Sequence, residues 1–206
     1  MIPVLKQFSS KFLVWPSMSE WMSMRHLWAG LPGVVGAIDG TSTKIYRPQT
    51  EPQRLYYSGH RKYHAIHTQV IIDSFGIIRH VECGFLGHLN DAQQYRLMAS
   101  IGPREELKFP GDCLLLADKI YPNGYPLMTP YTRQQISRRP IHVQRKCKKL
   151  NKRIQAHRVS VEHSIGQLKQ YKILNTVWRH PRRMLKDVCE ICAGLTCRRQ
   201  QIFNDF

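Results

Sequence analysis

The chain has 206 residues, 42% hydrophobic and 22% charged, which suits one globular domain with a core of its own and excludes a wholly disordered chain. Its formal net charge is +17, and residues 133–200 alone carry 18 Lys and Arg against 3 Asp and Glu. A basic surface concentrated in this way attracts a polyanion, nucleic acid before anionic lipid. The most apolar run, residues 27–38, is broken by Pro32 and three glycines and is far shorter than the roughly 20 residues a spanning helix needs, so no membrane partner is expected.

In chain order, residues 1–30 read as a short helical N-terminal segment with Trp15, Trp21 and Trp28 among polar neighbours, and residues 31–206 as the main domain. Leu31-Pro32-Gly33 is a turn. Val34 to Ile38 is a short apolar run, expected to be a buried strand that delivers Asp39 at its C-terminal end, with Gly40 as the following turn. Residues 44–62 read as loop. Tyr63 to Ile72 is rich in β-branched residues, Asp73-Ser74-Phe75-Gly76 is a turn, and Ile77 to Phe85 completes a hairpin. Asp91 follows a loop and precedes a helix expected over 92–101, for which it is itself a candidate N-cap. Cys113 to Ala117 forms a fourth buried strand ending at Asp118. Residues 119–140, with four prolines, read as loop. Residues 142–175 read as a long basic helix or a broken pair, with Val161, Ile165 and Leu168 on one stripe and Glu162, Gly166 and Lys169 on the next. A last helix is expected over about 182–201.

The chemistry rests on the acids. Asp39 and Asp118 are placed at the ends of two apolar strands, and Glu162 stands alone in a long positive stretch. Three carboxylates in one place repel each other unless a cation lies between them, and hard oxygen ligands suit Mg²⁺ or Mn²⁺. Such a site, flanked by Lys and Arg on DNA phosphates, is the equipment of phosphodiester hydrolysis. The bland reading pairs Glu162 with Arg158 one turn earlier. Asp73 and Asp112 sit at turns and read as structural.

Five segments in order resemble the motifs of Harbinger-type DDE transposases and of nucleases derived from them. They are Val35 to Thr41, Tyr57 to His64, Gly87 to Asp91, Leu116 to Pro122 and Arg158 to Lys169. The resemblance runs from about residue 33 to 200. It implies an α/β, RNase H-like catalytic domain with a mixed central sheet flanked by helices. It also implies a divalent-metal-dependent DNA endonuclease, with Asp39, Asp118 and Glu162 as the catalytic triad and Asp91 as a further acid able to share the metal. Arg61, Lys62, Arg158 and Lys169 are the expected DNA contacts, and a separate DNA-binding protein is a possible partner for site selection. Ser42, Asn90, Lys119 and Ile120 depart from the family pattern, and Lys119 stands where it could compete with a metal for Asp118. The rival reading is therefore a domesticated, catalytically inactive DNA-binding module that keeps the basic surface.

Two side signals complete the reading. The run Arg145 to Arg153 has the composition of a nuclear localisation signal, which points to the nucleus, with the cytoplasm as the other compartment. The six cysteines are scattered and are read as reduced thiols; Cys189-x-x-Cys192 lacks a partner pair at zinc-finger spacing and reads as small buried side chains on a helix.

Overall fold

The computed structural model describes residues 2–99, 101 and 107–204. The elements run α1 (Ile2–Ser9), α2 (Met18–Ser23), β1 (Val34–Lys44), α3 (Gln53–Tyr56), β2 (Tyr57–Ser58), β3 (Tyr63–Asp73), β4 (Ile78–Leu86), α4 (Asp91–Leu97), β5 (Leu114–Leu116), β6 (Leu127–Met128), α5 (Arg133–Ser137), α6 (Ile141–Leu168), α7 (Lys172–Asn175) and α8 (Leu185–Asn204). Together they make an RNase H-like α/β fold, a mixed sheet with helices on both faces.

The sheet has β1 at its centre. On one side β1 pairs antiparallel with β3, which pairs antiparallel with β4 and, at its start, with β2. On the other side β1 runs parallel to β5, and β5 parallel to β6. The antiparallel half comes from the hairpin that Asp73 closes. Its side chain is fully buried and accepts from the amides of Phe75 and Ile77 and from Arg79 Nε. Asp73 is thus structural, as expected, and Asp112 forms an ion pair with Arg25.

Strand alternation sorts the core into two layers. Val34, Ala37, Val70, Ile72 and Leu116 face α6 and α8, against Ile154, Val161, Leu168, Cys189 and Cys192. Val35, Ile38, Ile71, Leu115 and Ala117 face the opposite way, against Trp21, Met24, Tyr95 and Met98. Ile154, Val161 and Leu168 recur every seven residues on α6 and are all buried. Each contributes about 1.5–3 kcal/mol by leaving water, and together they fix the helix's rotation over the sheet.

Several boundaries differ from the sequence reading. β1 does not stop at Ile38. It continues through Asp39 and Gly40 to Lys44, because Gly40 to Lys44 pair in register with Gln69 to Ala65 of β3. Asp39 is therefore a mid-strand residue, and Gly40 is no turn. The helical content of residues 1–30 is confined to α1 and α2. The segment 44–62 contains α3 and β2, and 119–140 contains β6 and α5, where loop was expected. The helix expected over 92–101 is α4, which starts at Asp91 and ends at Leu97; residue 100 lies outside the described residues. The long basic helix is α6, with α7 after it, and α8 follows a short 3₁₀ turn over Arg182–Met184.

Cys189 and Cys192 are buried on α8, as the composition suggested. Burial pushes the Cys192 thiol up to about 11 and the Cys197 thiol up to about 12, the setting of inert structural thiols. No helix among the described residues is long and apolar enough to cross a membrane.

Candidate active site

The sheet register brings the first two acids together. Ala37 of β1 lies beside Leu116 of the parallel strand β5. Two residues further along each chain come Asp39 and Asp118, both on the face that carries Ala37 and Leu116. Neighbouring strands lie about 4.8 Å apart, so the two carboxylates reach the same space under α6. Asp118 caps its own loop by accepting from the Lys119 backbone amide at 2.7 Å. Asp39 does the same with the Gly40 amide at 2.9 Å.

Asp91 arrives from the opposite helix layer. Its expected role as an N-cap is corrected by the structure. Asn90 is the cap: its side chain accepts from the Gln93 amide while Gln93 returns a bond to the Asn90 amide. This leaves the Asp91 carboxylate free to lean over β1. Gly40 makes the approach possible, since a Cβ there would lie 2.2 Å from Asp91 Oδ1. Gln69 of β3, fully buried, holds the arrangement. Its Nε2 donates to Asp91 Oδ1 at 3.3 Å and to Gln94 Oε1 at 2.7 Å, and its Oε1 accepts from Tyr121 Oη at 2.6 Å. Burial, reinforced by the nearby charges of Asp91 and Asp39, raises the Tyr121 phenol well above its ordinary value, so it stays a donor.

Asp39, Asp91, Asp118 and Glu162 all line one cleft of about 460 Å³, with Arg158, Arg61, His60 and Asn90. Glu162 reaches it from α6 and is the exposed member of the set. Arg158, one turn before it, does not pair with Glu162. Its Nη2 lies 3.4 Å from Asp39 Oδ2 and its Nη1 3.4 Å from Asp118 Oδ1. Burial raises the Asp39 carboxyl above its ordinary value; the Arg158 charge and the Gly40 amide oppose this, and the charges of Asp91 and Asp118 add to it. The acids behave as a mutually repelling set that calls for positive charge.

The remaining predicted contacts divide. Arg61 is in the cleft wall, and Lys62, in the left-handed region at φ 61°, is exposed on the turn beside it. Lys169 points elsewhere: its Nζ donates to the backbone carbonyls of Ser42 at 2.6 Å and Leu174 at 2.8 Å. The Lys119 side chain is exposed, and the cation that contacts Asp118 is Arg158. His67 is a satisfied sheet residue, its Nε2 3.0 Å from the Gly87 carbonyl. Sequence reasoning missed Gln69, Gln94 and Tyr121. The available signal was a single amide inside the β-branched run His67-Thr68-Gln69-Val70-Ile71, a polar group that a buried strand retains only if it is hydrogen-bonded.

Comparisons with known proteins identify the family. The family described as DDE superfamily endonuclease matches residues 38–196, well over half of the chain and every acid of the cleft. The chain belongs to the DDE superfamily endonucleases. Over 102 residues it is 31% identical to the protein named "Putative nuclease HARBI1" from Rattus norvegicus, a match covering 50% of this chain and 28% of the rat protein. The match thus spans less than a third of that relative's length. No solved structure matches the chain.

Endonucleases of this superfamily generally use a divalent cation. The chemistry of the donor set fits one: four carboxylates, hard oxygen donors, share one cleft that needs positive charge. As arranged, no three His, Cys, Asp or Glu side chains among the described residues converge on a single ion-sized point. Asp39 and Asp118 converge on the Arg158 guanidinium instead.

Proposed function

We propose that this chain is a divalent-metal-dependent DNA endonuclease of transposase origin. The observation that carries the reading is the shared cleft of Asp39, Asp91, Asp118 and Glu162 in a chain of the DDE superfamily endonucleases. Asp39 and Asp118, with Glu162 and Asp91, would hold Mg²⁺ or Mn²⁺. Bound there, the cation supplies Lewis-acid polarisation of the phosphodiester and a nucleophilic water at neutral pH.

The chain's own residues do the rest. Gln69 and Asn90 fix the direction of Asp91, the first by hydrogen bond and the second by capping the helix that carries it. Partial burial of Asp39 under α6 limits the water that competes for its oxygens, since only 19% of its side chain is exposed. Arg61 in the cleft wall and the basic face of α6 bind the phosphates either side of the scissile bond. The attacking group, water or a DNA 3′-hydroxyl, approaches in line with the leaving oxygen. A separate DNA-binding protein would supply target selection, and the run Arg145 to Arg153 would direct the chain to the nucleus.

A DNA-binding module without cleavage is the second reading, and one observation favours it: a protein cation already touches both aspartates. Nicking of supercoiled plasmid in Mg²⁺ or Mn²⁺ separates the two. The wild type is expected to nick, and Asp118→Asn to lose at least about a hundredfold in rate. An Asp118→Asn protein as active as the wild type would remove the endonuclease reading. A folded wild type that binds DNA in both metals without nicking it would leave the binding module.

A further inference from the structure

The cleft contains its own cation. Arg158 divides its guanidinium between two strands, Nη2 to Asp39 of β1 and Nη1 to Asp118 after β5, each at 3.4 Å. Its side chain is only 14% exposed, yet its Nε–H has no hydrogen-bond partner among the described residues. A structural Arg–carboxylate pair is ordinarily shorter, about 2.7–2.9 Å, and lays two parallel bonds on one carboxylate. Here the fork straddles two carboxylates, loosely, with one donor idle. The backbone beneath it is not loose: Ile154 and Val161 are buried on either side of Arg158 along α6. Only the side chain is free to choose.

It also has somewhere to go. A second cavity, of about 1080 Å³, adjoins the first along the same face of α6, toward the helix start, between Lys119, Tyr131, Arg133, Gln155 and Val159. The two cavities share Asp118, Arg158 and Glu162 as a common wall. A long side chain on that wall can leave one cavity for the other without moving the helix.

We infer that Arg158 is an exchangeable counter-ion. It neutralises Asp39 and Asp118 in the metal-free chain and competes with a divalent cation for both carboxylates. Once displaced, its guanidinium is free for the anionic phosphodiester that runs past the cleft. The inference rests on the metal-dependent reading above. Its physical basis is that the guanidinium and a divalent cation repel each other and seek the same two oxygens, so binding of one works against the other. A phosphate that captures Arg158 removes the competitor, which couples DNA binding to metal binding in the favourable sense.

The test is Mn²⁺ binding by titration calorimetry on DNA-free protein, with folding checked by thermal melting. Arg158→Gln is expected to bind Mn²⁺ about tenfold tighter than wild type, the scale of a lost charged contact. Lys119→Gln removes the same charge nearby without touching either acid, and is expected to change affinity by no more than about twofold, because its exposed charge is screened. Arg158→Lys keeps the charge but loses the fork, and tightens Mn²⁺ binding by an intermediate factor. It serves as the deciding variant if Arg158→Gln does not fold. The inference is overturned if folded Arg158 variants bind Mn²⁺ no tighter than wild type, or if Lys119→Gln tightens binding as much. Asp39→Asn locates the failure. If it abolishes Mn²⁺ uptake while the Arg158 variants show no gain, the metal site stands and only the counter-ion role falls. If folded wild type and Arg158→Gln both take up no Mn²⁺, the metal-dependent reading falls and takes this one with it.

Discussion

A missing side chain shapes the cleft as much as any carboxylate does. Gly40 pairs with Gln69 in the sheet, and both lie where Asp91 leans in from α4. A methyl group on Gly40 would meet Asp91 Oδ1 at 2.2 Å and Gln69 Nε2 at 3.1 Å, the tips of two side chains and no backbone. Tips can turn aside, so Gly40→Ala is expected to cost only about 1 kcal/mol of stability, the low end of overpacking. The larger effect falls on Asp91, which loses its bond from Gln69 and its aim. Mn²⁺ affinity should then drop as far as it does in Asp91→Asn. Calorimetry and a melting curve on the two variants check this, and a Gly40→Ala protein with wild-type Mn²⁺ affinity would show that Asp91 stands outside the metal set.

Between elements, Lys169 is the half-buried charge that fastens the end of α6 to β1 and to Leu174 on α7. Its ammonium donates to the Ser42 and Leu174 carbonyls and feels the thiols of Cys83 on β4 and Cys189 on α8 and the charge of Arg61; it forms no ion pair with a carboxylate among the described residues. Burial lowers its pKa to about 8, with the two thiols opposing the shift and Arg61 adding to it. The unfolded chain holds that proton up to about pH 10.4. Between about pH 8 and 10 the unfolded state therefore binds more protons than the folded state, and stability rises with pH through this window. Below pH 8 the lysine is charged in both states and the penalty is present in full. The neutral amine still has two hydrogens for its two carbonyls. Relative to Lys169→Met, the wild type should gain on the order of 2 kcal/mol between pH 7.5 and 10, read from urea unfolding of both proteins. A constant difference across that range would place the ammonium in water.

Which of these elements a reader of the sequence can find depends on how local their causes are. The hairpin of β3 and β4 was legible because β-branched runs flank an Asp-Ser-Phe-Gly turn. β5 was legible because five apolar residues precede Asp118. The second half of β1 was not, since Gly40-Thr41-Ser42-Thr43 is polar and becomes strand only through partners 23 or more residues away on β3. The cap of α4 was misplaced by one position because Asn90 and Asp91 are both able to cap, and only the Gln93 exchange decides between them. The acids were singled out by their places at two strand ends and in the basic stretch, and then by motif order. Their assembly follows from a register that no local pattern contains, and Arg158, set down as a DNA contact, turned out to lie against Asp39 and Asp118.

Over the whole molecule, charge is arranged along a line. Gln155 and Val159 of α6 border the larger cavity, and Lys148 and Lys152 continue the same stripe toward the helix start at i, i+4, i+7 and i+11, with Arg145 one turn before them. All three basic residues are exposed, and none forms an ion pair among the described residues. A basic track that leads to an acidic cleft would solve a problem set by the proposed site, because carboxylates repel the phosphates such a site would receive. If DNA lies along this track, each of the three side chains neutralises about one phosphate and releases its counterion. Replacing Arg145, Lys148 and Lys152 with Gln should then lower the slope of log K against log salt by about 2 to 3, weaken duplexes of different sequence alike, and leave Mn²⁺ affinity unchanged. Fluorescence anisotropy across a NaCl series gives the slope. An unchanged slope would move the DNA path off α6, and with it the reason for a basic helix to carry Glu162 into the cleft.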